Sequence, residues 1–526
     1  MSPRKLVWMI AACGLGSFSL VAASPDAIAQ KTSPETQKLR QQLVPTTPPP
    51  FGSGDAADLA PLDPDPILLD LPKDESDVEI DITQPISLDQ ALTLARRNNR
   101  EIQQAELDIK AAQARLDEAK SDKLPDVAVT GQLTRTQDFI DIVGSDSDAF
   151  PAGSNSVSAT VQAQYDVFTN GQRPAAIRAA LEDLEANSLE LRVQLWELRL
   201  DVANDYFDLQ QSDELIKISE SAVENARDSF ENTVALEQAG LGTRFDVLRA
   251  EVQLADRQQQ LTQSIASKQI AQRQLAERLS LNDNAMVTAL DSVNETGRWP
   301  LTLDQSIVSA QRFRAELAEV LNEREIAVLN EKIAKRSVGP FLSVSGSLSG
   351  GANLQDSAPT AGFDPVTGAP ITGDALTSDV GYAVGAEATY TIFDGGLSKA
   401  QARQQAISTQ IADTQFANTK NVIRFQIEQN FYNMTSSLQN ISTNRKAVEQ
   451  AEQSLELAKL RFREGIGTQL EVSNEETSLT RAESNLLQAI IDYNRALIGL
   501  QRSVADPNLE LLPFSAPTAS VSNRRS

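Results

Sequence analysis

Few residue types in this chain are equipped for chemistry. Its 526 residues include no histidine and a single cysteine, Cys13. A zinc site built on His and Cys is therefore excluded, as is any nucleophilic triad that passes a proton through imidazole. A thiolate enzyme would have to run on Cys13 alone. Carboxylates remain: 72 Asp and Glu stand against 47 Lys and Arg, a net charge of −25. Paired carboxylates serve as acid and base in many enzymes. Here almost all of them fall on the polar faces of helical patterns, and no cluster stands apart from such a face. The expectation is no enzyme, no cofactor and no metal site. Nor does so acidic a chain suit nucleic acid, whose phosphates need Lys/Arg patches. Two short motifs stand out by spacing instead. Gly240-Leu241-Gly242-Thr243 returns in the second half of the chain as Gly465-Ile466-Gly467-Thr468. A glycine there is the ordinary left-handed end of a helix, so each motif marks a turn between helical stretches.

The elements that place these turns are written twice. Ile86-Ser87-Leu88-Asp89-Gln90 recurs as Leu301-Thr302-Leu303-Asp304-Gln305, and Leu124-Pro125 recurs at the same offset as Gly339-Pro340. Tyr165-Asp166-Val167-Phe168-Thr169-Asn170-Gly171 recurs as Tyr390-Thr391-Ile392-Phe393-Asp394-Gly395-Gly396, at a slightly longer offset that it shares with the glycine turns. Four landmarks in one order indicate an internal duplication, with repeats over 86–300 and 301–505. Each repeat reads as a helix pair, a β-hairpin (about 125–168 and 340–393) and a long helical hairpin (about 172–290 and 397–503). No proline falls between Pro174 and Pro300 or between Pro370 and Pro507. Leu181, Leu184, Leu191, Leu195, Leu198, Val202, Tyr206 and Leu209 recur at helical spacing. The first long helix should reach about 65 residues, or roughly 100 Å, and must pack lengthwise on partners as a coiled coil does.

The strand segments alternate. Val157, Ala159, Val161, Ala163 and Tyr165 share one face, and Ser158, Thr160, Gln162 and Gln164 the other. The same holds for Leu342, Val344, Gly346 and Leu348, for Tyr382, Val384, Ala386, Ala388 and Tyr390, and for Val127, Val129 and Leu133. Runs of nine or ten residues are what a tilted strand needs to cross a bilayer. With the rest of the chain committed to long helices, lipid is the remaining cover for the apolar face. Tyr165 and Tyr390, with Phe168 and Phe393 just beyond, stand where an interfacial aromatic girdle would be. Four strands cannot close a barrel, and open edges are forbidden in lipid. Eight strands fill with side chains while a wet pore wants twelve, so the expectation is a homotrimer.

Outside the repeats, 1–29 reads as a secretory leader: Arg4 and Lys5, an apolar run from Leu6 to Ala23, and a small-x-small site at Ala27-Ile28-Ala29. Residues 30–85 read as a Pro-rich acidic linker, with ten acids and one base between Asp55 and Asp81. Residues 506–526 read as a disordered tail.

The duplicated plan, the Phe168-Thr169-Asn170-Gly171 and Phe393-Asp394-Gly395-Gly396 strand exits and the Gly-x-Gly-Thr turns resemble the TolC-like outer-membrane efflux proteins over about residues 86–505. The resemblance implies a mostly α fold with a transmembrane β part: a trimeric, twelve-stranded barrel with four strands per chain, continued by a long α-helical coiled-coil barrel. It implies a passive exit duct of a tripartite efflux or type I secretion system, placed in the cell outer membrane with a long periplasmic extension. The implied partners are outer-membrane lipid, a periplasmic adaptor and an inner-membrane pump of the RND or ABC type. By the same resemblance, adaptors dock on the turns Gly240, Leu241, Gly242, Thr243, Gly465, Ile466, Gly467 and Thr468. The family's gate acids fall on Asp246, Glu471 and Asn474, its gate tyrosine on Phe462 and its gate arginine on Gly467. The gate network is thus not copied intact, and Arg244 and Arg463 lie near enough in sequence to substitute. Three copies each of Asp246 and Glu471 would form acidic rings that favour cations; the plainer reading is a first-turn acid favoured by the helix dipole. The competing function is a structural or adhesive coiled-coil protein of the periplasm or surface, without a pore. The cargo stays open among small toxic compounds, peptides, proteins and glycolipids.

Overall fold

In the computed structural model the described residues are 82–138, 152–282, 284–355 and 375–507, with single residues at 39, 42, 43, 49, 62, 79, 80, 366, 367 and 509. The leader expected over 1–29 lies outside them, as do nearly all of the linker and the tail. The elements run β1 (Ile82–Ile86), α1 (Leu88–Asn98), α2 (Arg100–Ser121), β2 (Asp126–Asp138), β3 (Ala152–Phe168), α3 (Gln172–Gln238), α4 (Arg244–Arg278), β4 (Ala285–Ala289), α5 (Leu303–Phe313), α6 (Ala315–Lys335), β5 (Pro340–Gln355), β6 (Ala375–Tyr390), α7 (Leu397–Arg463) and α8 (Gln469–Val504).

Local sequence explains the boundaries. The recurring pentapeptide is a capping box. The side-chain oxygens of Ser87 and Thr302 accept from the backbone N–H of Gln90 and Gln305, whose side chains in turn accept from the cap N–H. The strand exits turn on left-handed residues, Asn170 (φ 49°) and Gly171 (φ 78°) after β3 and Gly395 (φ 70°) and Gly396 (φ 90°) after β6. Asp394 then accepts from the N–H groups of Gly396 and Ser398 at 2.9 and 2.8 Å. Helices α3 and α7 are each 67 residues long, close to the expected length and about 100 Å at 1.5 Å per residue.

These two helices are the uprights. Toward the sheet, α3 packs against α2 and α6, and α6 against α7. Toward the turns, α3 packs against α4 and α8, and α8 against α7. Short helices are stacked end to end along the uprights, α6 and α8 between the two and α2 and α4 against α3, and each joint is tied by a side chain. Asn99, between α1 and α2, donates from Nδ2 to the carbonyl of Arg278 at the end of α4 (3.3 Å). Arg314, between α5 and α6, donates to the carbonyls of Arg502 and Ser503 at the end of α8 (3.4 and 3.3 Å). Both satisfy carbonyls that a helix end leaves open.

Two apolar clusters hold the waist. One gathers Leu94, Val202, Tyr206, Phe207 and Leu275 around the parallel pair β1–β4, and the other gathers Ile423, Ile427, Tyr493 and Leu500. Strand β1 occupies the last positions of the segment read as linker, and neither β1 nor β4 was expected. So short a stretch, with Pro85 in it, carries too little alternation to signal a strand; pairing with β4, far along the chain, makes it one.

Strands β2–β3–β5–β6 form one antiparallel sheet in that order. They are 13, 17, 16 and 16 residues long, which corrects the nine or ten read from alternation. Apolar alternation fades at Ser349-Gly350-Gly351, but backbone pairing continues through it. Among the described residues no helix is long and apolar enough to cross a membrane.

Candidate functional site: the hairpin tips and the sheet face

The two turns have nearly one geometry. Gly240 (φ 74°) and Gly465 (φ 73°) end α3 and α7 in the left-handed conformation. The N–H groups of Leu241 and Gly242 both reach the carbonyl of Leu236, at 2.9 and 3.0 Å; those of Ile466 and Gly467 both reach Arg461, at 3.0 Å each. The second glycine of each pair has a different reason. A Cβ on Gly242 would lie 3.1 Å from the backbone nitrogen of Glu237, and one on Gly467 3.1 Å from that of Phe462. Thr243 and Thr468 then cap the next helices, accepting from the N–H of Asp246 and Glu471 at 3.2 Å each. Leu241 and Ile466 are left 79% and 70% exposed at the outermost points.

The residues expected at a gate fall around these turns. The Asp246 carboxylate accepts from the Thr243 hydroxyl at 2.5 Å. Arg244 stands 3.7 Å from Glu237, and Arg461 stands 3.8 Å from Glu471. Phe462 packs on Leu455, Ala458 and Val472 inside the second tip, whereas Arg463 and Asn474 are not part of that cluster. Among the described residues no group of acids is arranged to hold a metal ion.

Sequence reasoning passed over the contact between the two hairpins. Near the tips it is polar. Gln469 Nε2 donates to Ser229 Oγ (2.9 Å), Lys459 to Asn225 (2.6 Å), Arg257 to Thr477 (2.8 Å) and Gln253 Nε2 to Glu476 (3.1 Å), while Ser473 is hydrogen-bonded to Gln253. Glu476 is 5% exposed, and its Oε1 has no partner among the described residues. Burial pushes its carboxyl up to about 7, against the pull of Lys459 and Arg257 and aided by Asp228. The signal available in sequence was Gln469 and Glu476 one heptad apart, on the same face as Val472.

At the other end of the molecule the register carries one face across all four strands. Val129 pairs with Val161, Val161 with Leu348, and Leu348 with Tyr382. On the opposite face Ala128, Gln162, Ser347 and Ala383 align in the same way. Val129, Val380, Tyr382 and Val384 are 73–84% exposed, so the described chain does not cover this apolar surface. Tyr165 lies on it opposite Val344, and Phe168, after a bulge, opposite Leu342. Tyr390 and Phe393 are exposed at the exit of β6. The Arg173 guanidinium stands 5.5 Å over the Tyr165 ring.

A sheet with one uncovered apolar face, continued by paired helices of about 100 Å, defines a membrane-spanning protein of the outer-membrane β type with a periplasmic helical extension. The chain belongs to the outer membrane efflux protein family, whose model matches residues 91–280 and 307–505. It is 24% identical over 435 residues to the pyoverdine export outer membrane protein OpmQ of Pseudomonas aeruginosa, covering 79% of this chain and 84% of that one. It is 21% identical to the outer membrane protein TolC of Escherichia coli, covering 78% and 80%. Among solved structures the channel protein CusC superposes with a TM-score of 0.66 at 16% identity, covering 88% of this chain and 99% of that one. The protein is thus an outer-membrane efflux protein and not an enzyme.

Proposed function

We propose that three copies of this chain form a passive duct that carries cargo from the periplasm through the outer membrane. The observation that carries this reading is the pair of unfinished edges. Among the described residues, β2 and β6 each have one partner in the sheet. In the helical part the outer positions fall to α2 and α4 on one side and α7 on the other. Both edges carry exposed apolar residues: Leu107, Phe245 and Val252 on α2 and α4, and Leu397, Ile411, Phe425 and Tyr432 on α7. Joining unlike edges head to tail makes a ring if the rotation closes. Closure after three copies gives twelve strands, enough for a water-filled lumen faced by Ser, Thr and Gln. The duplication read from the sequence makes the two halves of each chain near-equivalent staves of that ring.

On this reading the tips point away from the membrane and meet a periplasmic adaptor. Leu241 and Ile466 are the apolar knobs it grips, on turns whose two glycines hold them out. Asp246 and Glu471 sit at the narrow end, where three copies of each favour cations over anions. An inner-membrane pump supplies the energy, since the duct has no machinery of its own. The family's association with export makes an exit duct a better account than a spacer fibre, which would have no use for a lipid-facing sheet. The deciding experiment is the native mass of the protein extracted from outer membrane in mild detergent, corrected for bound detergent. A mass of three chains is expected; a monomer, or recovery without detergent, would overturn the duct.

A further inference from the structure

A cleft of about 860 Å³ opens at the waist between α3 and α7, floored by the C-terminal half of α8. It belongs neither to the tips nor to the sheet. We propose that it is a binding site for the uncharged backbone of a short, extended peptide.

Its lining is rich in carboxamides. Gln426, Asn430, Asn433 and Asn440 follow one another on α7, and Asn204 faces them from α3. The spacing i, i+4, i+7, i+14 places the four on one helix face. They span about 21 Å at 1.5 Å per residue, a distance that about six residues of extended chain would cover at roughly 3.3 Å each. A carboxamide offers one acceptor and a donor group, the same pair that each peptide group presents. Asn204, Asn433 and Asn440 keep their side chains unpaired among the described residues. Asn430 is half-committed, its Nδ2 donating to Ser503 at 3.0 Å.

Charge argues for a neutral ligand. The lining holds two arginines and two acids. Arg502 is paired with Glu197, and with Glu316 at 2.7 Å. Arg495 is paired with Asp208, and reaches Asp492 at 4.0 Å. A charged ligand would lose its hydration without gaining a free counter-ion. Arg502 is 7% exposed, and its Nε has no acceptor among the described residues. Among the described residues no aromatic ring lines the cleft, so it lacks the stacking platform on which a sugar ring would lie.

The route by which a peptide reaches the cleft rests on the duct reading above, but the binding itself does not. The test is fluorescence anisotropy on the full-length protein in detergent, with a labelled, end-blocked hexapeptide of alternating alanine and serine. Saturable binding is expected, at least tenfold weaker for Asn433→Leu with Asn440→Leu. Both positions are exposed, so the variant should keep its fold. The same peptide with N-methylated backbone should bind the unaltered protein at least tenfold more weakly, which tests the inference without any variant. Absence of saturable binding up to millimolar peptide, equal binding by the variant, or equal binding of the N-methylated peptide would each overturn it. A trimer that conducts ions but fails here rejects the cleft alone; a protein that is no trimer rejects the duct while the binding result still stands.

Discussion

At the scale of single residues, the tips are specified by glycines that do two separate jobs. Gly240 and Gly465 supply a left-handed φ, which costs another residue roughly 1 kcal/mol. Gly242 and Gly467 leave room for the backbone of the preceding helix. Gly242→Ala with Gly467→Ala should therefore loosen both tips while leaving the waist intact. Trypsin cleavage at Arg244 and Arg461 should speed up several-fold with an unchanged thermal midpoint, since local opening need not follow global unfolding. The seam residue Glu476 gives a pH prediction. Its carboxyl is raised from 4.5 to about 7 in the folded protein, so the native state binds more protons than the unfolded one between those values. Stability must then fall as pH rises from 4.5 to 7, by on the order of 2–3 kcal/mol at full effect. Lys459, Arg257 and Asp228 face this group from α7, α4 and α3. Glu319 on α6, raised to about 7 by burial and by Glu323, Glu190 and Glu316, adds to the same slope. Glu476→Gln should flatten part of it and raise the thermal midpoint at pH 7.5 but not at pH 4.5. An equal gain at both pH values would mean that the effect is packing and not charge.

At the scale of elements, the joints decide whether short helices behave as one long rod. Arg314 is 5% exposed, ion-paired with Glu316 at 2.8 Å, and caps the end of α8. Burial alone would push the Glu316 carboxyl up, yet Arg314 and Arg502 beside it hold it below its ordinary value. Arg314→Met keeps much of the bulk but leaves Glu316 with Arg502 as its remaining cationic partner and strands two carbonyls, and should cost about 1–3 kcal/mol, read as a lower midpoint in urea. The sheet makes its own prediction. Val129→Arg places a charge in the row Val129–Val161–Leu348–Tyr382 and should cost about 2–4 kcal/mol near the middle of the bilayer; Thr130→Arg, on the other face, should cost little. Refolding yield into lipid vesicles separates the two. The sequence showed this sheet because alternation is local: each strand carries its own two faces whatever it pairs with. It showed the long helices and the glycine turns for the same reason. The joints, β1–β4 and the polar seam were hidden because their meaning lies in partners far along the chain. Arg314 sits 188 residues from the carbonyl of Arg502, and Gln253 sits 223 residues from Glu476. Nothing local marks such a residue as a cap or a latch.

At the scale of the whole molecule, one edge argument governs both parts. Leu397, Ile411, Phe425 and Tyr432 recur at whole multiples of a heptad on α7, a seam with no partner among the described residues. On the opposite edge Phe245 and Val252 stand one heptad apart on α4 and are 63% and 62% exposed. The sheet edges alone would close a barrel of any number of copies that its tilt allowed. In the proposed ring the helical edges would have to close with the same number, since β3 runs into α3 and β6 into α7 with only short turns between. A ring that satisfies both is more constrained than either part, and weakening one edge should unsettle the other. In the proposed three-chain ring, Phe425→Glu with Tyr432→Glu would put charge into the helical seam three times, where burial of each aromatic would contribute roughly 1.5–3 kcal/mol. Light scattering in detergent should show the three-chain species giving way to single chains while circular dichroism keeps its helical signal. The sheet should then become accessible to protease, because β2 and β6 would again be open. A stable three-chain species carrying both charges would mean that α7 faces the lumen or the solvent, and that the sheet alone holds the ring together.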